Sequence, residues 1–160
     1  MKKIIIFIII IAASILVWSF VKDKNIDTNI IEQEKPTPKI TYKNSSANLI
    51  KVELPFPGAV VGKEFSVVGQ ARGYWFFEAS FPVELLDKDG KVLATGIAQA
   101  QADPDTGEIN WMTENFVRFK ADLRVPLSYI GLAALVLHKD NPSGLPENDA
   151  SMSFPITVEY

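Results

Sequence analysis

From residue 49 onward the chain is written in short alternating runs. Ile50, Val52 and Leu54 alternate with Lys51 and Glu53, and Val117, Phe119, Ala121, Leu123 and Val125 alternate with Arg118, Lys120, Asp122 and Arg124. A period of two means an extended strand with one face hidden and the other wet. Phe65–Ala71 reads as a further strand, and so does Phe77–Leu86. In the latter, Phe77, Ala79, Phe81, Val83 and Leu85 point one way, and Glu78, Ser80, Pro82 and Glu84 the other. Pro82 has no N–H to give to a ladder, which predicts an edge or a bulge there. Lys91–Gln101 places Val92, Ala94, Gly96, Ala98 and Ala100 on one face. All are small, which leaves room for the aromatics of the preceding strand. Gly131–His138 is apolar on both faces, as in a central strand, and Ser151–Val158 turns Met152, Phe154, Ile156 and Val158 inward. Pro55–Gly58 and Asp87-Lys88-Asp89-Gly90 supply turns. About seven strands of this kind hide their faces only by stacking two sheets about 10 Å apart. The expected fold is therefore an all-β sandwich.

The pattern before residue 49 is different. Lys2 and Lys3 precede an apolar run, Ile4 to Val21, interrupted only by Ser14 and Ser19 and closed by Lys22, Asp23 and Lys24. As a helix this run is roughly 27 Å long, close to the thickness of a bilayer's hydrocarbon core. The leading lysines keep the N-terminus cytoplasmic and send the remainder outward, with Trp18 at headgroup level. A cleaved signal peptide needs a shorter apolar region and small residues at the cut. Ala12-Ala13-Ser14 offers a poor version of that, and the run continues past it. Residues 1–21 are thus expected to be an uncleaved transmembrane anchor. Residues 22–48 are polar, with Pro36, Pro38 and the cluster Asn44-Ser45-Ser46-Ala47-Asn48, and are expected to be a flexible linker. The folded domain is expected to span 49–160.

Composition narrows the chemistry. The net charge is -3; with Lys2 and Lys3 set aside from the 16 basic residues, 14 face 19 acidic ones beyond the apolar run. A mixed, acidic surface argues against nucleic acid as a partner. The chain has no cysteine, which removes disulfides, thiolate metal sites, cysteine nucleophiles and a lipid-modified cysteine, so attachment to a membrane falls to the N-terminal run. Its one histidine, His138, removes multi-histidine metal centres.

Four constellations merit weighing against plain structural explanations. Asp103, Asp105 and Glu108, and the stretch Asp140–Asp149 with Glu147, supply carboxylates for a calcium loop. Their spacing fits a solvated turn with Pro and Gly better. His138, Asp140 and Ser143 suggest a nucleophilic triad, but no nucleophile-elbow motif is present and Asn141-Pro142-Ser143-Gly144 reads as a turn. The pairs Glu78/Glu84 and Glu108/Glu114 suit glycoside cleavage only at a fixed separation. No catalytic, cofactor or metal residue is therefore expected.

The stretch Gly69-Gln70-Ala71-Arg72-Gly73-Tyr74-Trp75-Phe76-Phe77-Glu78-Ala79-Ser80-Phe81-Pro82-Val83 is distinctive. With Trp111-Met112, Phe119 and Asp140-Asn141-Pro142-Ser143-Gly144 it resembles the immunoglobulin-like domain of bacterial spore germination, of the GerM-associated type, over roughly Leu49–Tyr160. The resemblance implies an extracytoplasmic sandwich in a cell-envelope protein, an interaction module without catalytic residues. The candidate interaction patch is Arg72, Tyr74, Trp75, Phe76, Glu78 and Trp111. Burial explains aromatics in a sandwich well, but Trp75 and Phe76 are adjacent and in an extended chain face opposite ways. Arg72 and Glu78 are expected to pair and fix the loop. The expected partners are the membrane and an envelope protein or wall polymer. An envelope hydrolase and a purely structural spacer are the alternatives, and a spacer would expose no aromatic patch.

Overall fold

The computed structural model describes residues 38–160. The expected anchor at 1–21 and the first part of the expected linker lie outside them. Among the described residues no helix is long and apolar enough to cross a membrane.

The described residues form nine strands: β1 (Thr41–Lys43), β2 (Ile50–Leu54), β3 (Val60–Val61), β4 (Glu64–Arg72), β5 (Ser80–Leu86), β6 (Val92–Ala100), β7 (Phe116–Arg124), β8 (Gly131–His138) and β9 (Ser151–Val158). Two are additions to the expected seven, β1 and β3. They are too short to show a period, and pairing with β9 holds them in place. The stretch expected to be linker is therefore part of the sheet from Thr41 to Lys43. The order is β1-β9-β8-β5-β6-β7-β4-β2, with β3 also on β9.

This continuous path folds into two layers at β6. That strand pairs with β5 from Val92 to Gln99, but with β7 only at Gln99↔Lys120 and Ala100↔Phe119. One face of every long strand is buried, and among the described residues no helical layer covers it, so the sheet closes on itself. Inside, Val67 of β4, Phe81 and Val83 of β5, Phe119 of β7, Leu135 of β8 and Ile156 of β9 belong to one fully buried cluster. Phe81 meets Phe119 edge to face at 4.9 Å, above the small residues of β6. Gly96 sits close to β7: a Cβ there would lie 3.1 Å from the Asp122 carbonyl oxygen. The strand that leads into the domain also changes layers. β2 lies on β4, and after Pro55–Ala59 the chain continues as β3, parallel to β9.

Three local expectations need correction. Phe77 does not open β5. Phe77 and Ser80 bond reciprocally around Glu78 and Ala79, both left-handed (φ 49° and 62°), which makes a tight hairpin turn and leaves Phe77 exposed. Val92 faces outward because Leu85 pairs with Ala94 and Leu86 with Val92, so Leu93 is a bulge residue that packs on the core instead. Pro82 is not on an edge strand. β5 is central, but its ladder to β8 starts only at Val83, one residue after the missing donor.

The outer faces differ. On β2-β4-β7 the outward positions run Glu64↔Arg124, Ser66↔Asp122, Val68↔Lys120 and Gln70↔Arg118. On β9-β8-β5-β6 they run Thr157↔Leu132, Pro155↔Ala134↔Leu86, Ser153↔Val136↔Glu84↔Thr95 and Ser151↔His138.

Candidate functional site

Register sends four connections to one end of the sandwich. Lys43 and His138 both pair with Ser151, Ile50 with Ala71, Arg72 with Phe116, and Ser80 with Gln99. Residues 44–49, 73–79, 101–115 and 139–150 therefore converge there.

The segment 73–79 is the structural centre of this end. Gly73–Trp75 is a single 3-10 turn, closed by Phe76 N–H to Gly73 C=O. The turn forms because Gly73 lies against the 111–113 backbone. A Cβ at this position would fall 2.0 Å from the Thr113 carbonyl oxygen and 2.3 Å from that of Trp111. This turn breaks the two-residue alternation, so Trp75 and Phe76 are both buried in the same core, against the expectation that they face opposite ways. Both stack edge to face on Phe81, at 5.9 and 5.1 Å. The Trp75 carbonyl accepts the Asp140 N–H and ties the 139–150 connection to the same anchor. The indole Nε1–H of Trp75 has no acceptor among the described residues. Trp75 and Phe76 are thus core, and the expected patch loses both.

Arg72 does not pair with Glu78, which stands exposed in the left-handed turn. Its guanidinium lies 4.1 Å from the centre of the Phe116 ring, and its Nε and Nη1 donate to the carbonyls of Asn48 and Glu114, both at 3.1 Å. Arg72 therefore clamps two connections together. An open groove of about 460 Å³ follows, lined by Asn48, Leu49, Arg72, Tyr74, Glu114 and Asn115. Tyr74 is half exposed on its wall. Trp111 is half buried and packs on the core, while its neighbour Met112 is 78% exposed. Phe77, Ile109 and Leu145 are also exposed on these connections. Sequence reasoning missed Asn48, Phe116 and Asn115, whose roles depend on contacts across the fold. Gly73, immediately before the run Tyr74-Trp75-Phe76-Phe77, was the available signal of the turn.

The candidates for chemistry are absorbed into turns. Asp103 Oδ1 accepts the N–H of Asp105 (2.9 Å) and Thr106 (3.0 Å). The Thr106 N–H, then that of Asp105, holds its carboxyl below the usual range. Among the described residues no three His, Asp or Glu side chains are grouped to hold a metal ion. Ser143 Oγ donates to Asn141 Oδ1 at 2.5 Å and accepts from Asn148 Nδ2 at 3.0 Å. His138 Nε2 lies 3.2 Å from Glu84 Oε2, on the outer face of the sheet. The triad of His138, Asp140 and Ser143 therefore does not assemble, and Glu84 is paired with a histidine, not with Glu78.

The two layers and the loop end define an all-β domain of immunoglobulin-like type, a class that is generally non-enzymatic. The match to a family model is specific: residues 49–144 fit the immunoglobulin-like domain of bacterial spore germination, and the chain belongs to that family. Nothing among curated proteins or solved structures matches the chain. The matched region stops before β9, which pairs with β8 along its whole length and completes the layer.

Proposed function

We propose that this protein is a membrane-anchored, extracytoplasmic and non-enzymatic interaction module, which presents the loop end to an envelope protein or a wall polymer. The observation that carries the reading is the set of exposed apolar side chains, Tyr74, Phe77, Ile109 and Met112, on connections fixed by the buried Trp75 and by Arg72. Preformed loops with exposed aromatics bind at low entropic cost. A spacer has no use for such a surface.

The test is photocrosslinking in intact cells from Tyr74 and Met112, with Lys120 on the charged outer face as the control. Adducts with one defined envelope species from positions 74 and 112, and none from 120, are expected. Equal labelling from all three, or none, overturns the loop end as the binding surface. Membrane pellets resistant to carbonate test the anchor separately.

A further inference from the structure

Asparagine is confined to one end of the described domain. All six in residues 38–160 lie on connections of the loop end: Asn44 and Asn48, Asn110 and Asn115, Asn141 and Asn148. The strands and the connections at the other end have none. Asparagine suits turns in general, and three of the six hold loops in that way. The side-chain amide of Asn44 donates to the Asp149 carbonyl at 2.9 Å, that of Asn141 to the Leu145 carbonyl at 2.8 Å, and that of Asn148 to Ser143 Oγ at 3.0 Å. The side-chain amides of Asn48, Asn110 and Asn115 have no partner among the described residues; the side-chain and backbone bonds of Asn48 and Asn115 run through their main chain alone.

These three free amides line one track. Asn48 and Asn115 belong to the groove beside Arg72 and Tyr74. A second depression, of about 160 Å³, adjoins it at Asn115 and is lined by Asn110, Glu108 and Arg118 among others. Two of the amides stand on backbone that is held on both sides. The Asn48 N–H donates to Ser46 Oγ and its carbonyl accepts from Arg72 Nε. The Asn115 N–H donates to Thr113 Oγ1 and its carbonyl accepts the Gly73 N–H. A ligand bound there orders little further backbone. Tyr74, half exposed on the wall, adds a flat ring with a hydroxyl at its tip.

We propose that this track binds an uncharged glycan strand, a reading that rests on the loop end being the recognition surface and selects the wall polymer over an envelope protein. The amides select the ligand. Each donates and accepts at once, as sugar hydroxyls and acetamido groups do, and the Tyr74 ring offers an apolar face to the C–H face of a pyranose. Charge argues against an anionic polymer. Arg72 and Arg118 are set among Asp103, Glu108 and Glu114, and the Arg72 guanidinium is already engaged by two carbonyls. The backbone argues against a peptide. An extended peptide is held largely by free main-chain groups of its host, and the carbonyls of Asn48, Leu49, Glu114 and Asn115 are all taken within the domain. Two adjoining depressions suit consecutive sugar units of a chain, not a single monosaccharide.

The test is isothermal titration of the full chain in micelles of a sugar-free detergent. The probes are two neutral oligosaccharides, chitopentaose and cellopentaose, and the anionic polymer polyglycerol phosphate. Saturable binding of a neutral oligosaccharide, without binding of polyglycerol phosphate, is expected. Tyr74→Ala and Asn115→Ala should each raise the dissociation constant about tenfold. Tyr74→Phe, which keeps the ring, should bind nearly as well as the parent, and Lys120→Ala on the charged outer face should match it. Circular dichroism of each variant separates loss of binding from loss of the fold. Absence of saturable binding by both neutral oligosaccharides overturns the proposal. So does a preference for polyglycerol phosphate, or binding indifferent to both Tyr74→Ala and Asn115→Ala. An envelope protein crosslinked from Tyr74, with no oligosaccharide bound, would overturn the glycan and leave the loop end as the recognition surface. Absence of crosslinks and of oligosaccharide binding would overturn the two readings together.

Discussion

On the outer face of β2-β4-β7, charges are set beside partners on the same or the next strand. Glu64 meets Arg124 at 2.9 Å, Asp122 accepts from Ser66 at 2.5 Å and from Lys120 at 3.1 Å, and Gln70 donates to Glu53 at 2.9 Å. On the outer face of β9-β8-β5-β6, built from the same kind of alternating strand, the outward positions hold Ser, Thr, Pro, Ala, Val and Leu around one Glu84–His138 contact. Both faces are outer in the single chain. Exposed ion pairs of the first kind contribute little to folding, so their value is solubility and the exclusion of unwanted partners. The second face carries fewer charges, with Glu84 and His138 set against each other. The difference teaches that burial of the inner faces decides the fold, while the outer faces are free to differ according to what each meets.

Both faces depend on the same inner contacts, so the largest effect comes from cutting those. Trp75 and Phe81 are fully buried and in edge-to-face contact, and Phe81 carries the contact on to Phe119. Trp75→Ala or Phe81→Ala should cost about 3–5 kcal/mol in urea unfolding. Loss of this order would remove the contrast between the faces along with the fold. A Trp75→Ala protein of unchanged stability would mean that the 73–79 turn is not the anchor of the loop end.

How much of this was readable from residues alone follows from the range of the forces involved. Val117 to Val125 announces its buried and wet sides because alternation is local, and both the buried and the charged residues of β7 lie where it predicts. Met152 to Val158 does the same. The 73–79 segment could not be read that way. Its 3-10 turn depends on Gly73 meeting the 111–113 backbone, a contact some forty residues away in sequence. The bulge at Leu93 is likewise a property of the β5–β6 register, not of the sequence around Val92. β1 and β3 are too short for a period and exist through their pairing with β9. The apolar character of β8 on both sides was legible, and its outward Val136 is already buried by neighbouring side chains. Of the expected patch, Tyr74 is exposed, Trp111 is half buried, Arg72 serves as a clamp, Glu78 stands unpaired in a turn, and Trp75 and Phe76 belong to the core.

A smaller effect sharpens the contrast between the faces directly. Val136, beside Glu84 on the β9-β8-β5-β6 face, is only 8% exposed, whereas Val68 lies half buried beside Lys120 and the paired charges. Val136→Glu should destabilise the domain by about 1–3 kcal/mol, since a carboxylate there is poorly solvated and has only Glu84 and His138 at hand. Val68→Glu should stay within about 0.5 kcal/mol, because Lys120 stands opposite and water is near. Equal costs in paired denaturation curves would erase the distinction. Below these lies Glu64→Gln, which breaks the exposed contact to Arg124. It should leave the unfolding midpoint unchanged within error.

The smallest effect concerns pH and belongs to the charged face alone. The Ser66 hydroxyl, and after it Lys120, hold the Asp122 carboxyl below its ordinary value of 3.8. The unfolded chain therefore takes up a proton at this residue at a higher pH than the folded one. Its contribution is fully present above the unfolded value and disappears as pH falls through the lower folded value. The loss should appear only below about pH 4, and should be small because the group is exposed to solvent. Asp122→Asn, which keeps an acceptor for Ser66 but carries no titrating charge, should flatten that part of the thermal midpoint curve and leave neutral pH almost untouched. Glu84→Gln, which removes a carboxylate from the other face, is the control. If the two variants altered the limb alike, the acid response would not be a property of the paired face, and the electrostatic half of the contrast would fail.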